Sequence, residues 1–268
     1  MNILIRSWYG RLGNNIIQVL NALLIALYYN YNIILPRHRY FNNKYLILND
    51  KIKIKDDKIT NKDNFFYRYE IPNIDNKAFD ENHEKALEIL RSCFIIRERF
   101  NRFKLSTNNI ILNENDLLIH IRSGDIFINN PHSGYIMPPL SYYVKIIEET
   151  QFNNIYMISE DRKNPCINEL LKLYPQIIFK IQSLNDDIKL ILSAHNIMTS
   201  FGTFVHALLS VSFNIKNIYK VSYDYNNTLL TNINIYDIDF NEYHNLMKPW
   251  RNTTEQRNLM LNYQYNQK

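Results

Sequence analysis

The pattern of this 268-residue chain predicts an α/β protein built on a doubly wound parallel sheet. Through the second half, short Ile-rich runs of strand length alternate with amphipathic stretches of helix length, the pattern of βαβ units. Three of those runs end in polar clusters, His120–Asp125, Ser159–Asp161 and Ser200–Thr203, on the edge where such sheets hold ligands. Glycine is scarce: the chain has five, where an average usage of ~7% would supply almost four times as many. Gly10, Gly13, Gly124, Gly134 and Gly202 all sit in motif-like clusters, while asparagine takes the turns elsewhere. Glycine is therefore expected where a backbone must approach a ligand closely.

The elements follow in order. Residues 2–6 form a short buried strand and Trp8 to Gly13 a loop. Asn14 or Asn15 caps a helix running to about Tyr29, with Ile33 to Leu35 the next strand. Residues 37–75 are polar, aromatic and aperiodic, and carry no assignment. Asp80 to Phe103 is helical, with Ala86, Leu87, Leu90, Phe94 and Ile95 as its apolar positions. Asp116 to Ile121 is a strand, and Leu140 to Glu149 a helix after Pro138-Pro139. Asn154 to Ile158 is a strand, Ile167 to Leu173 a helix and Ile177 to Ile181 a strand. Asp186 to Ser193 is a helix capped by Asn185 or Asp186, Asn196 to Thr199 a strand, Thr203 to Ser212 a helix, and Asn217 to Ser222 a strand. The tail from about 240 to 268 is a terminal helix that packs back on the body. Three segments result: 1–112, 113–240 and 241–268.

Composition narrows the function. A net charge of +5 with dispersed basic residues lacks the stripe of a nucleic-acid binder and fits small anions equally well. The loose basic cluster from Arg91 to Lys104 reads as a solvated helix face. Cys93 and Cys166, far apart, form neither a disulfide framework nor a zinc pattern. The apolar stretch Ile16 to Tyr29 is interrupted by Gln18 and Asn21 and falls short of the ~20 residues of a membrane span. The polar start is not that of a signal peptide, so a cytoplasmic protein without a membrane span is expected.

In the first loop His120 and Arg122 stand two apart at a strand end, on one face. A guanidinium fork suits phosphate oxygens, and Gly124 permits close approach; pairing of Arg122 with Asp125 is the alternative. In the second, Asp161 offers a carboxylate to a base or ribose, or caps the next helix. In the third, Ser200, Gly202 and Thr203 lead into a helix whose first amides favour an anion, or Ser200 or Thr203 is simply its N-cap.

These residues carry a resemblance. Gly10-Arg-Leu-Gly13-Asn14-Asn15 resembles the Gly-Gly-Leu-Gly-Asn-Gln opening of the α-1,2-fucosyltransferase family. His120-Ile-Arg122-Ser-Gly124-Asp125 is similar to the His-x-Arg-x-Gly-Asp motif shared by α-1,2-, α-1,6- and O-fucosyltransferases. Ser159-Glu-Asp161 resembles the Ser-Asp-Asp motif, and Asp187 to Phe204 the stretch that ends in Ser-Asn-Ser-Ser-Phe-Ser-Trp-Trp. The four lie in the family's order.

The resemblance implies a GT-B-like fold, two Rossmann-like doubly wound domains facing a cleft, and an inverting, metal-independent transferase acting on a glycan acceptor. GDP-fucose is its donor substrate and no cofactor is expected. It places Arg122 on the donor β-phosphate, His120 near the phosphate or guanine, Asp161 on the nucleoside, and Ser200 with Thr203 on the phosphates. Residues 113–240 would bind the donor, and residues 1–112 would present the Gly10–Asn15 loop to the donor sugar and acceptor. Asp125 and His132 are the candidate bases for the acceptor hydroxyl. The chain departs from the family at Val205-His206, which replaces Trp-Trp; His206 is a substitute contact or a core residue. Phe201, where the family often has Asn, and the insertion Asn129 to Pro139 are further departures. Another GDP-sugar such as rhamnose, or a nucleotide- or glycan-binding module without turnover, are the competing readings. A metal-dependent transferase would use Asp237-Ile-Asp239.

Overall fold

A computed structural model describes residues 2–42, 44–51, 65–67, 77–96, 111–224, 230 and 232–265. The chain divides into two compact units, Met1–Ser106 and Thr107–Lys268.

In the N-terminal unit, β1 (Asn2–Leu4) runs through α1 (Leu12–Tyr29) into β2 (Asn32–Ile34), which pairs parallel with β1. β3 (Tyr45–Leu46) adds antiparallel to β2, and α2 (Lys77–Asp80) and α3 (His83–Cys93) pack on α1. The sheet of the described residues is thus three-stranded and mixed, not a second doubly wound one. α1 starts earlier than an Asn14 or Asn15 cap would allow: Arg11 takes the cap position, after a turn at Gly10 with φ 65°. Asn15 lies inside the helix, and its side-chain amide donates to the Tyr9 carbonyl. By length and composition α1 could cross a membrane, yet most of it is buried within the unit. The helix expected over Asp80 to Phe103 is interrupted at Glu81 and Asn82, the latter in the left-handed region, and ends at Cys93. Residues 97–103, and most of the basic cluster to Lys104, lie outside the described residues.

The C-terminal unit is the predicted α/β body. Its six strands are β4 (Leu117–His120), β5 (Ile155–Ile158), β6 (Ile178–Lys180), β7 (Asn196–Met198), β8 (Asn217–Val221) and β9 (Asn234–Ile238). All pair in parallel, in the order β6-β5-β4-β7-β8-β9. Counted within the unit this is 3-2-1-4-5-6, the order of dinucleotide-binding sheets, whose direction of winding switches between β4 and β7.

The crossovers are α4 (Leu140–Glu149), α5 (Pro165–Leu173), α6 (Leu184–Ser193) and α7 (Thr203–Leu209). Both sheet faces are buried, as parallel sheets require. Leu117, Ile119, Met157 and Met198 join Tyr142, Tyr143, Cys166 and Leu170 in one core, while Leu118, Ile158, Ile197 and Ile218 are buried on the other face. α6 is capped by Ser183, whose hydroxyl accepts the Asp186 amide, leaving Asp186 in the first turn where a carboxylate is favourable. The sixth strand β9 was given no bounds from the sequence. The tail forms two helices, α8 (Asn241–Met247) and α9 (Thr254–Asn262), with α9 packed on α4 and α5.

Candidate functional site

The switch point brings the loop after β4 against the loop after β7. The amide of Arg122 donates to Ser200 Oγ at 2.8 Å, and that hydroxyl is 3.3 Å from His120 Nδ1. Burial, with Arg122 and His206 adding to it, lowers the His120 ring to about 3, so the imidazole is neutral and Nδ1 can accept the serine proton. Ser200 is itself buried and committed to both partners. It ties two loops together at the strand end.

The Arg122 side chain is held on three sides. Its guanidinium lies 4.2 Å from the Tyr135 ring centroid, and Nη2 is 3.5 Å from Asp125 Oδ1. On the third side is Gly202, at φ 137°, where a Cβ would stand 2.6 Å from Arg122 Nη1. Only glycine lets the guanidinium lie here, at the residue that opens α7. Thr203, half-buried, follows as the first residue of that helix. Arg122 therefore pairs with Asp125 as the alternative reading had it, while the side chain remains part of the strand-end cluster.

Asp161 braces the same loop from β5. Its Oδ1 accepts from the Ser123 hydroxyl and from the amides of Gly124 at 3.3 Å and Lys163 at 2.9 Å. Burial would raise this carboxyl, but the hydrogen bonds from Ser123, Lys163 and Gly124 prevail and lower it. Asn164 completes the brace, donating from its amide side chain to the Arg122 carbonyl at 3.0 Å and capping α5. Gly124, at φ 62°, has the Glu160 carboxylate where a Cβ would stand.

His132 lies further along the inserted loop. Its Nδ1 accepts the Gly134 amide at 3.2 Å, and its ring is 4.7 Å from Tyr135, which in turn lies 5.8 Å from Phe201. The tail anchors the segment: Trp250 donates to the carbonyls of Ser133 and Ile126, and Tyr243 to that of Met137. His206 is buried and bonded at 3.0 Å to Asp224, itself buried, so it is a core residue.

His120, Arg122, Asp125, Asp161, Ser200, Gly202 and Thr203 thus gather at one sheet edge, with His132 one ring removed. Gly10, Gly13 and Asn14 belong to the N-terminal unit, at the start of α1, where the Asn14 side chain fills the space of a Gly10 Cβ. Sequence reasoning missed Tyr135, Asn164 and Asp224, while Glu160 was read with Asp161 as an acidic acceptor. Tyr135 alone left a signal, as the aromatic of the insertion. Asp237 pairs with Lys220 at 3.2 Å and Asp239 accepts the Asn241 amide, so both carboxylates of Asp-x-Asp have structural partners. Among the described residues no three His, Cys, Asp or Glu side chains gather as a metal site would. No family model, curated protein or solved structure matches the chain.

Proposed function

We propose that this chain is an inverting, metal-independent glycosyltransferase that moves L-fucose from GDP-fucose to a glycan hydroxyl. The observation that carries the reading is the Arg122 guanidinium laid over Gly202 at the switch point of a 3-2-1-4-5-6 parallel sheet. Sheets of this order bind nucleotides at that point, and a guanidinium fork matches diphosphate oxygens.

In the proposed reaction the acceptor oxygen attacks the anomeric carbon as the bond to the β-phosphate oxygen breaks. GDP leaves with the electron pair. The largest contribution of the protein is preorganised charge on that departing diphosphate. Arg122 supplies it, fixed by Tyr135, Asp125 and the absent side chain of Gly202. Ser200, itself bonded to neutral His120, holds the Arg122 backbone, and Thr203 remains in the phosphate set. Asp125, partly exposed beside Arg122, takes the acceptor proton, with His132 as the second candidate. The nucleoside contact is assigned to the Asp161 side of the loop. The GT-B arrangement, with the acceptor on the N-terminal unit, belongs to this proposal.

The test is transfer itself. The protein is incubated with GDP-fucose and a panel of glycan acceptors in EDTA, and the product is read by mass and anomeric configuration. An inverted fucoside supports the reading. GDP-fucose left intact beside every acceptor, with GDP-rhamnose consumed instead, would move it to another GDP-sugar.

A further inference from the structure

Helix α1 carries three buried amide side chains, Asn15, Gln18 and Asn21, at three-residue spacing. Buried polar groups are costly unless bonded, and each of these is bonded to the backbone of an adjoining segment. Gln18 accepts the Tyr9 amide at 2.8 Å and donates to the Ser7 carbonyl at 3.1 Å. Asn15 donates to the Tyr9 carbonyl at 3.0 Å. Asn21 donates to the carbonyls of both Phe65 and Phe66, at 2.9 and 3.1 Å. Phe65 is held at φ 60°, a conformation that a bulky L-residue avoids, with its side chain buried as an anchor.

Fixed in this way, three rings meet. Tyr9 and Phe66 have centroids 5.0 Å apart, Phe66 and Tyr67 4.6 Å, and Tyr9 and Tyr67 5.9 Å. The hydroxyls of Tyr9 and Tyr67 are 3.3 Å from each other, and these two side chains are 39% and 43% exposed. With roughly 200 Å² per tyrosine, the open surface is on the order of 200 Å². A stable protein partner needs ~800 Å² on each side, whereas a single sugar ring fits the smaller area.

We propose that Tyr9, Phe66 and Tyr67 form a platform for a pyranose ring, and that it holds a sugar of the acceptor glycan. A pyranose has an apolar C–H face and a hydroxyl rim; Tyr9 and Phe66, tilted by 33°, supply aromatic surface, and Tyr67, edge-on to both, brings its hydroxyl to that of Tyr9. Three helix amides and one unfavourable backbone angle fix these exposed rings in place, which is the investment expected of a binding surface. The assignment to the acceptor rests on the transferase reading; the sugar-binding surface does not.

The test uses the full chain and the methyl pyranosides of glucose, galactose, mannose and N-acetylglucosamine, read by saturation-transfer NMR on irradiation of aromatic protons. Thermal stabilisation by GDP is recorded alongside. At least one glycoside is expected to show saturation on its C–H face, falling at least about fivefold in Tyr67→Ala and partly kept in Tyr67→Phe, with the GDP response equal in all three. Tyr67→Phe keeps the ring, so it reports on the hydroxyl edge even if Tyr67→Ala fails to fold. No saturation in the wild type, or an undiminished signal in folded Tyr67→Ala, overturns the platform even where GDP still binds. Saturation that depends on Tyr67 without any GDP response upholds the platform and removes the donor reading instead.

Discussion

The backbone amide of Arg122 donates to the hydroxyl of Ser200 at 2.8 Å, joining the loops that follow the two central strands of the sheet. The same hydroxyl meets a neutral His120. One buried serine therefore positions both members of the His-x-Arg pair.

Ser200→Ala leaves the Arg122 amide and His120 Nδ1 without this partner. A loss of about 1–3 kcal/mol is expected, the cost of stranding buried polar groups. Urea unfolding should show a lower midpoint with an unchanged slope. A midpoint equal to the wild type would mean that the serine holds nothing.

Gly202→Ala places a methyl group against the Arg122 guanidinium and forces φ 137° on a residue with a Cβ. Displacement of the guanidinium is expected to weaken GDP at least about tenfold, ~1.4 kcal/mol, with the circular dichroism spectrum intact. Calorimetric titration with GDP gives the answer, and an unaltered Kd would detach Gly202 from the donor site.

Tyr135 stacks on Arg122 at 4.2 Å. A partly exposed pair of this kind contributes ~1 kcal/mol, so Tyr135→Ala should weaken GDP about fivefold while Tyr135→Phe, which keeps a ring face, stays close to the wild type. Equal losses in both variants would point to the hydroxyl.

The pH dependence has opposing parts. Burial, reinforced by Arg122 and His206, lowers His120 to about 3, and burial raises Asp187 to about 7. Between about pH 4 and 6.5 the unfolded chain binds a proton at His120 that the fold refuses, so stability falls on acidification. Over the same range the fold keeps a proton on Asp187 that the unfolded chain has lost, so stability rises. Burial also lowers His38, to about 4, and His244, so Asp187 offsets only part of the histidine effect. Asp187→Asn should steepen the fall in stability below pH 6.5, each refused proton adding up to ~1.4 kcal/mol per pH unit. Adding His120→Gln should reduce that slope and leave the part due to His38 and His244. Urea titrations from about pH 4.5 to 7 measure it, and a slope that His120→Gln leaves unchanged would contradict a neutral His120.

The parallel sheet was legible because its inner strands are largely apolar runs, buried on both faces, with polar residues massed at one end. β9 was less so: it is an edge strand, and Ile235 and Tyr236 on it are exposed. The glycine pattern was informative for a specific reason. Ordinary left-handed turns fall to Asn30, Asn82, Asn130, Asn232 and Asn252, while Gly10, Gly124 and Gly202 stand where Asn14, Glu160 and Arg122 press on the backbone. Ser200, His120 and Arg122 were each identified, but the bonds between them were not, because 80 and 78 residues separate the serine from its partners. Tyr135 and Asp224 depend on the same kind of long-range meeting, which no local spacing encodes.

The central claim is a GDP site built on Arg122, and thermal unfolding with GDP or UDP, in EDTA or with Mn²⁺, tests it most directly. A ligand at 100 times its Kd adds ~2.7 kcal/mol. The account expects a shift with GDP in EDTA, little with UDP, and none in a folded Arg122→Ala protein. Stabilisation by UDP only with Mn²⁺, or a GDP shift that survives Arg122→Ala, would contradict it.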